Sequence, residues 1–343
     1  MASGLRIGLL LCVIASAAEC RAQAGRELDE AQLERSLAAN PKDARLHRDY
    51  AIFLEQQGRT AEAIAHFRAV CDLNPDSADD AYNLSLALLH NNLPADALAA
   101  LDKHPVNTAD SYALRGAILN ALNRSRDAAQ ALRRAVALDG ANPDTLYDLA
   151  ITLLKIDENA EAAALLERGR RSFPTVAKMH AGAGMVAYLT GRNADAVRAY
   201  ETAVKLEPNA ADLFAALGDV YDATGDLPRA EKAYLRALRL DSSVAAYHVK
   251  YARNLLKLQR PKEAEAAFLN AVERDPANPE AQYQLGKLAA ARDDHSAAIA
   301  RYQRAVASMP SLKEAWYQLS LSYRRTGNEE QARAALEQFR KLQ

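Results

Sequence analysis

The chain has 343 residues, with 43 Lys and Arg against 44 Asp and Glu, a net charge of −1. That balance gives no bulk basis for binding nucleic acid or an anionic membrane surface. A single globular core would be unusual at this length unless the core grows by repetition along one axis.

The N-terminus reads as an export signal. Arg6 is the only charge in the first 18 residues, and Ile7 to Ala18 is an apolar run of 12. As a helix that run spans about 18 Å, short of a hydrocarbon core of about 30 Å. Small residues at Ala22-Gln23-Ala24 then offer a cleavage site near Ala24, with Ala18 and Ala22 as the other candidates. Residues 1–24 are therefore expected to be a signal peptide. The mature chain would be secreted or periplasmic, with no stable membrane insertion. Lipid anchoring at Cys20 is disfavoured by Glu19 and Ala17, where a small and a leucine-like residue would be wanted. Removing the signal leaves Cys71 as the one remaining cysteine, so no internal disulfide is expected, and its place on a packed helix predicts burial.

Residues 25–43 predict a lone capping helix, Leu28 to Asn40, stopped by Pro41. Beyond it, Ala128, Ala162, Ala196, Ala230, Ala264, Ala298 and Ala332 fall in a strict 34-residue register. Ala63 and Ala97 precede them, with one short step of 31. A period of this length means stacked helical hairpins. Nine repeats result: 44–77, 78–108, 109–142, 143–176, 177–210, 211–244, 245–278, 279–312 and 313–343. In the sixth, Phe214, Leu217, Gly218 and Tyr221 mark a first helix over Asp212 to Ala223. Gly225 ends it, and Ala230, Tyr234 and Ala237 line the second. The eighth and twentieth positions of every repeat are small, which lets the two helices cross closely.

The departures from the pattern carry expectations of their own. Asp102-Lys103-His104-Pro105 shortens the second helix of repeat two by about a turn. Repeat four ends with Gly169, Arg170 and Ser172 where other repeats place Ala, Val or Leu, and Gly182 and Gly184 lie inside a helix of repeat five, each costing about 1 kcal/mol against alanine, which predicts a weaker junction between repeats four and five. Arg333 and Arg340 replace apolar residues in repeat nine and predict a capping face.

These residues resemble the tetratricopeptide repeat family, whose pattern is an aromatic, Leu-Gly, Tyr, Ala, an aromatic, Ala and Pro. Phe214, Leu217, Gly218, Tyr221, Ala230, Tyr234 and Ala237 match it, with Ser242 in place of the proline. Trp316, Leu319, Tyr323, Gly327 and Ala332 match it again. The resemblance covers residues 44–343. It implies an all-α, right-handed α-solenoid of nine antiparallel helix pairs plus the N-terminal capping helix, with the first helices lining a concave groove.

The sequence carries no catalytic or metal constellation. His-Glu-x-x-His, Gly-x-Ser-x-Gly and Cys-x-x-Cys are all absent. No cofactor and no enzymatic activity are expected. His47, His180 and His248 take the fourth position of their repeats, where the family carries a large aromatic, and are expected to pack rather than ligate. Gly182-Ala183-Gly184 imitates part of a dinucleotide fingerprint but lacks the preceding strand.

Function is left to the groove. Its positions, carried over from the family, hold apolar side chains in repeats two, four and five: Tyr82, Leu86, Leu89, Tyr147, Ile151, Leu154, Met185, Tyr188 and Leu189. They turn acidic in repeat six, at Asp212, Asp219 and Asp222. They turn basic beyond it, at Arg253, Lys257, Lys287, Arg324 and Arg325, with Tyr283 and Tyr317 interleaved. From Ala245 to Gln343 there are 16 basic and 11 acidic residues, a net of +5. The expectation is a scaffold or adaptor that holds a peptide or protein segment. The alternative is a carrier for an apolar small molecule or lipid in the same groove. The sequence does not set the oligomeric state.

Overall fold

A computed structural model describes residues 30–343, so the export signal lies outside the described residues. The described chain is all-α, with 19 helices, and divides into two compact units, residues 30–140 and 141–343.

In the first unit, α1 (Glu30–Ala39) precedes three hairpins: α2 (Ala44–Gln56) with α3 (Thr60–Leu73), α4 (Ala78–His90) with α5 (Pro94–Lys103), and α6 (Ala109–Ala121) with α7 (Ser125–Leu138). Leu33 of α1 is buried in the same core as Tyr50, Leu54 and Phe67. The Tyr50 hydroxyl shares its one proton between Glu34 at 3.0 Å and Glu30 at 3.2 Å, and Arg59 bridges to Glu30, which fastens α1 to the first hairpin. The helix α5 is 10 residues long against 14 in α3 and α7, the missing turn that the short alanine step announced.

The second unit holds six hairpins. They are α8 (Pro143–Lys155) with α9 (Asn159–Ser172), α10 (Ala177–Leu189) with α11 (Asn193–Leu206), α12 (Ala211–Ala223) with α13 (Leu227–Leu240), α14 (Ala245–Lys257) with α15 (Pro261–Arg274), α16 (Pro279–Ala290) with α17 (His295–Ser308), and α18 (Lys313–Arg325) with α19 (Glu329–Lys341). Within each unit, the second helix of a hairpin packs on the first helix of the next, as in an α-solenoid.

Three local devices make these hairpins. Polar caps start several helices: Asp43, Asn142 and Asn278 accept the first free backbone N–H groups of α2, α8 and α16. The turn inside every hairpin holds one left-handed residue, at Gly58, Asn92, Asn123, Asp157, Gly191, Gly225, Gln259, Asp293 and Gly327. Glycine, asparagine and aspartate tolerate that conformation, and Gln259 is the strained member. Finally, the side chain at the fourth position ties its helix to the preceding loop. His47, His180 and His248 each donate from Nε2 to the carbonyl six residues earlier, at 3.1, 2.9 and 3.0 Å. Gln282 and Trp316 make the same bond, each at 2.9 Å. A carbonyl can only accept, so these histidines carry their proton on Nε2. They are packing residues, as expected.

The alanine ladder is fully buried at all nine positions. Opposite it, the eighth position sets how closely a large side chain at the twenty-fourth can lie. A Cβ added to Gly184, Gly218 or Gly286 would stand 2.5–2.8 Å from the ring of Tyr200, Tyr234 or Tyr302. The tyrosines thus occur only where the facing residue is glycine. Gly169 and Gly182 behave likewise: their Cβ atoms would meet Met179 Sδ at 2.4 Å and Leu166 Cδ2 at 2.6 Å. The expected weakening between repeats four and five left this out. The missing methyl groups are filled by neighbouring side chains, so the backbone cost of each glycine is offset by close packing. Cys71 is half-buried rather than buried, and burial pushes its thiol up to about 11, which disfavours the thiolate.

Candidate functional site

The expected groove residues fall on the first helices of the hairpins, and the two units treat them differently. In the first unit, Tyr82, Leu86 and Leu89 of α4 are half-buried and packed against the core. Burial pushes the Tyr82 hydroxyl up to about 12, with Asp110 adding to the effect. These three side chains serve packing as much as they offer a surface.

In the second unit, α8 and α10 are in contact. They carry Tyr147, Ile151, Leu154 and Met185, all half-buried, beside Tyr188 and Leu189, which are 39% and 62% exposed. Glycine again explains the geometry, since the Tyr147 ring lies 3.2 Å from where a Cβ of Gly182 would stand. Lys178 lies 6.0 Å from the centroid of that ring and pairs with Asp144. Burial holds the Tyr147 hydroxyl above its usual range, with Asp148 and Asp212 adding to it. The neighbouring Asp148 carboxyl is pushed up to about 6 by the crowding of this face, although its side chain still reaches solvent.

The charged stretch beyond is largely self-neutralised. Asp219 of α12 accepts from the Tyr234 hydroxyl at 2.9 Å and pairs with Lys250 of α14. Asp222 pairs with Lys257 and also faces the Asn254 amide. Arg253 reaches Glu280 at 3.4 Å. Two of the five residues expected to form a basic end are therefore held by carboxylates of adjacent first helices. Lys287 is exposed and lies 5.6 Å from the Tyr283 ring centroid, while Arg324 and Arg325 are exposed on α18. Tyr147, Ile151 and Leu154 thus lie on α8, and Met185, Tyr188 and Leu189 on the α10 helix that contacts it. The basic residues that remain available are confined to α16 and α18.

Sequence reasoning missed Lys250 and read Tyr234 only as a packing residue, not as the donor to Asp219. The signal was present: Asp219 and Lys250 are 31 residues apart, close to one repeat, and each twenty-fourth-position tyrosine follows the ninth position of its repeat by 15 residues.

Family models for the tetratricopeptide repeat match residues 20–78, 181–245 and 250–313, with further matches over 119–183 and 314–342. The chain belongs to the tetratricopeptide repeat family. It is 27% identical over 139 residues to the "Tetratricopeptide repeat protein 30 homolog" of both Drosophila pseudoobscura pseudoobscura and Drosophila melanogaster. That match takes in 39% of this chain and 21% of theirs, so the chain spans about a fifth of the length of these curated relatives. Among solved structures, it is similar to a chain of the APC/C hetero-tetramer Cut9-Hcn1, with 17% identity and a TM-score of 0.59 over 85% of this chain and 58% of that one. This similarity is one of fold. Tetratricopeptide repeats are generally scaffolds rather than catalysts. Among the described residues no group of three His, Cys, Asp or Glu is placed to hold a metal ion, and no helix is long and apolar enough to cross a membrane.

Proposed function

We propose that this chain is an exported, non-enzymatic adaptor whose first-helix face on α8 and α10 holds an extended or helical segment of another protein. The observation that carries this reading is the patch itself. Tyr188 and Leu189 stand 39% and 62% exposed beside four half-buried apolar side chains. Exposed helix faces ordinarily carry charge, and a contiguous apolar patch marks an interaction surface. Two tyrosines supply large, stiff anchors of the kind that dominate binding energy. The side chains are spread along two helix faces open to solvent, which suits a polypeptide segment better than an enclosed lipid. Arg6, the Ile7–Ala18 apolar run and Ala22-Gln23-Ala24 support export and cleavage near Ala24.

The test is Tyr147→Ala combined with Leu154→Ala, followed by partner capture in the native cell envelope and by circular dichroism. Both side chains are only half-buried, so helix content should be unchanged while capture weakens. Capture at the wild-type level would place the site elsewhere.

A further inference from the structure

We propose that the second-helix side of repeats four and five holds a small organic phosphate monoester that also carries hydroxyl groups, of the size of a hexose phosphate. The site is a cavity apart from the apolar first-helix residues of α8 and α10.

The cavity lies between α9 and α11, with α10 between them, and has a volume of about 720 Å³. Small-molecule sites span about 300–1,000 Å³. Its origin is a departure from the repeat. Val204, Val272 and Val306 recur at intervals of 34 residues. Each packs into a core with first-helix residues of the following repeat: Leu213 and Leu217, then Leu285, then Ala315 and Leu319. Repeat four places Arg170 at this position, exposed and lining the cavity. An arginine there forgoes the burial that valine supplies in the other repeats.

Each wall carries more guanidinium than carboxylate. On α9, Glu167 accepts from Arg170 at 2.8 Å and from Arg171 at 2.9 Å. On the opposite wall, Asp195 of α11 pairs with Arg198 and with Arg192, the latter at 3.8 Å. Four arginines therefore share two carboxylates, and two positive charges are left over across the gap. Exposed pairs three or four residues apart hold weakly, so these guanidinium groups can turn onto a ligand. A phosphate monoester carries close to two negative charges at neutral pH, and its oxygens accept paired N–H bonds from arginine.

His180 and Thr202 add the opposite requirement. His180 lines the cavity and is 7% exposed. Its Nε2 donates to the Pro174 carbonyl at 2.9 Å, so Nδ1 keeps a lone pair with no partner in the protein. Thr202 also lines the cavity, and its hydroxyl proton is given to the Arg198 carbonyl at 2.9 Å. Both side chains can then only accept. An acceptor cannot bond a phosphoryl oxygen that has no proton, whereas a ligand hydroxyl satisfies it. Donors on the walls and acceptors between them select an anion with hydroxyl groups on its body.

Isothermal titration calorimetry with glucose 6-phosphate, glucose 6-sulfate, hexyl phosphate and glucose at pH 7.5 tests the proposal. Glucose 6-phosphate should bind saturably. It should bind about tenfold more tightly than the 6-sulfate, which lacks the second charge, and than hexyl phosphate, which lacks the hydroxyls. Glucose should give no measurable binding. Arg170→Val copies the other repeats and should weaken glucose 6-phosphate about tenfold, while the melting temperature stays level or rises. Arg198 is 72% exposed, so Arg198→Gln should leave folding untouched and weaken the same ligand severalfold. No binding of glucose 6-phosphate, equal binding of the 6-sulfate or of hexyl phosphate, or an affinity unchanged in both variants overturns the proposal. A lower melting temperature in Arg170→Val with normal affinity in Arg198→Gln would assign the arginines to folding alone and overturns it equally.

Discussion

The fourth position of the repeat shows how little chemistry a recurring role requires. Histidine, glutamine and tryptophan all fill it by donating one N–H to the same loop carbonyl. Burial, opposed in part by that bond to Ser242, holds His248 below its usual 6.5, and Arg274 adds to the depression. A histidine with a depressed folded pKa contributes stability that is present above 6.5 and lost as pH falls through the folded value. His248→Gln copies Gln282 and should therefore change stability by less than about 0.5 kcal/mol at pH 7.5. At pH 5 it should unfold at a higher temperature than the wild type, as thermal scans at the two pH values would show. The turn residue Gln259 makes a second point. Its φ of 60° is one that glycine adopts freely, so Gln259→Gly should stabilise by a few tenths to about 1 kcal/mol in urea titration. The alanine at the twentieth position was legible in the sequence because one residue type fills it nine times. The left-handed turn position was not, because four residue types share it and only the backbone shows that they share a task.

The hairpin is the element at which the packing rules couple. The pairing of Gly184 with Tyr200 contrasts with Ala150 and Leu166 at the same positions one repeat earlier. Gly184→Ala should cost about 1–3 kcal/mol, because its methyl group would lie 2.8 Å from the Tyr200 ring. The same change in a Tyr200→Leu background should cost clearly less, and a double-mutant cycle by chemical denaturation measures the difference. The three in-helix glycines of α9 and α10 carry an effect that propensity does not register: Met179, Leu166 and Tyr200 occupy the space their missing methyl groups leave. The charged positions were misjudged for a related reason. Asp219 and Asp222 looked like an acidic surface, and Arg253 and Lys257 like a basic one. Each set is largely consumed by pairing with the first helix of an adjacent repeat, a contact that spacing permits but charge counting does not reveal.

For the whole molecule, the sequence made the class of architecture plain, since a 34-residue period admits few alternatives. The apolar first-helix positions differ in cover: Tyr188 and Leu189 of α10 stand exposed, while Tyr82, Leu86 and Leu89 of α4 are drawn against the core. Sequence periodicity assigns a face to each helix, but how much of that face a neighbour covers depends on packing between repeats. Export belongs to this scale too. Mass spectrometry of protein recovered from the producing cell should find a mature N-terminus at Gly25, and an intact Met1 would contradict cleavage. The central claim is that the first-helix face of α8 and α10 is the surface that touches a partner. It is tested most directly by placing a photo-crosslinking amino acid at Tyr188 and, separately, at the exposed Lys232 on a second helix, then irradiating intact cells. The account predicts a discrete protein adduct from position 188 that is lost with Tyr147→Ala and Leu154→Ala, and none from position 232. Adducts of equal yield from both positions, or an adduct indifferent to the double substitution, would contradict it.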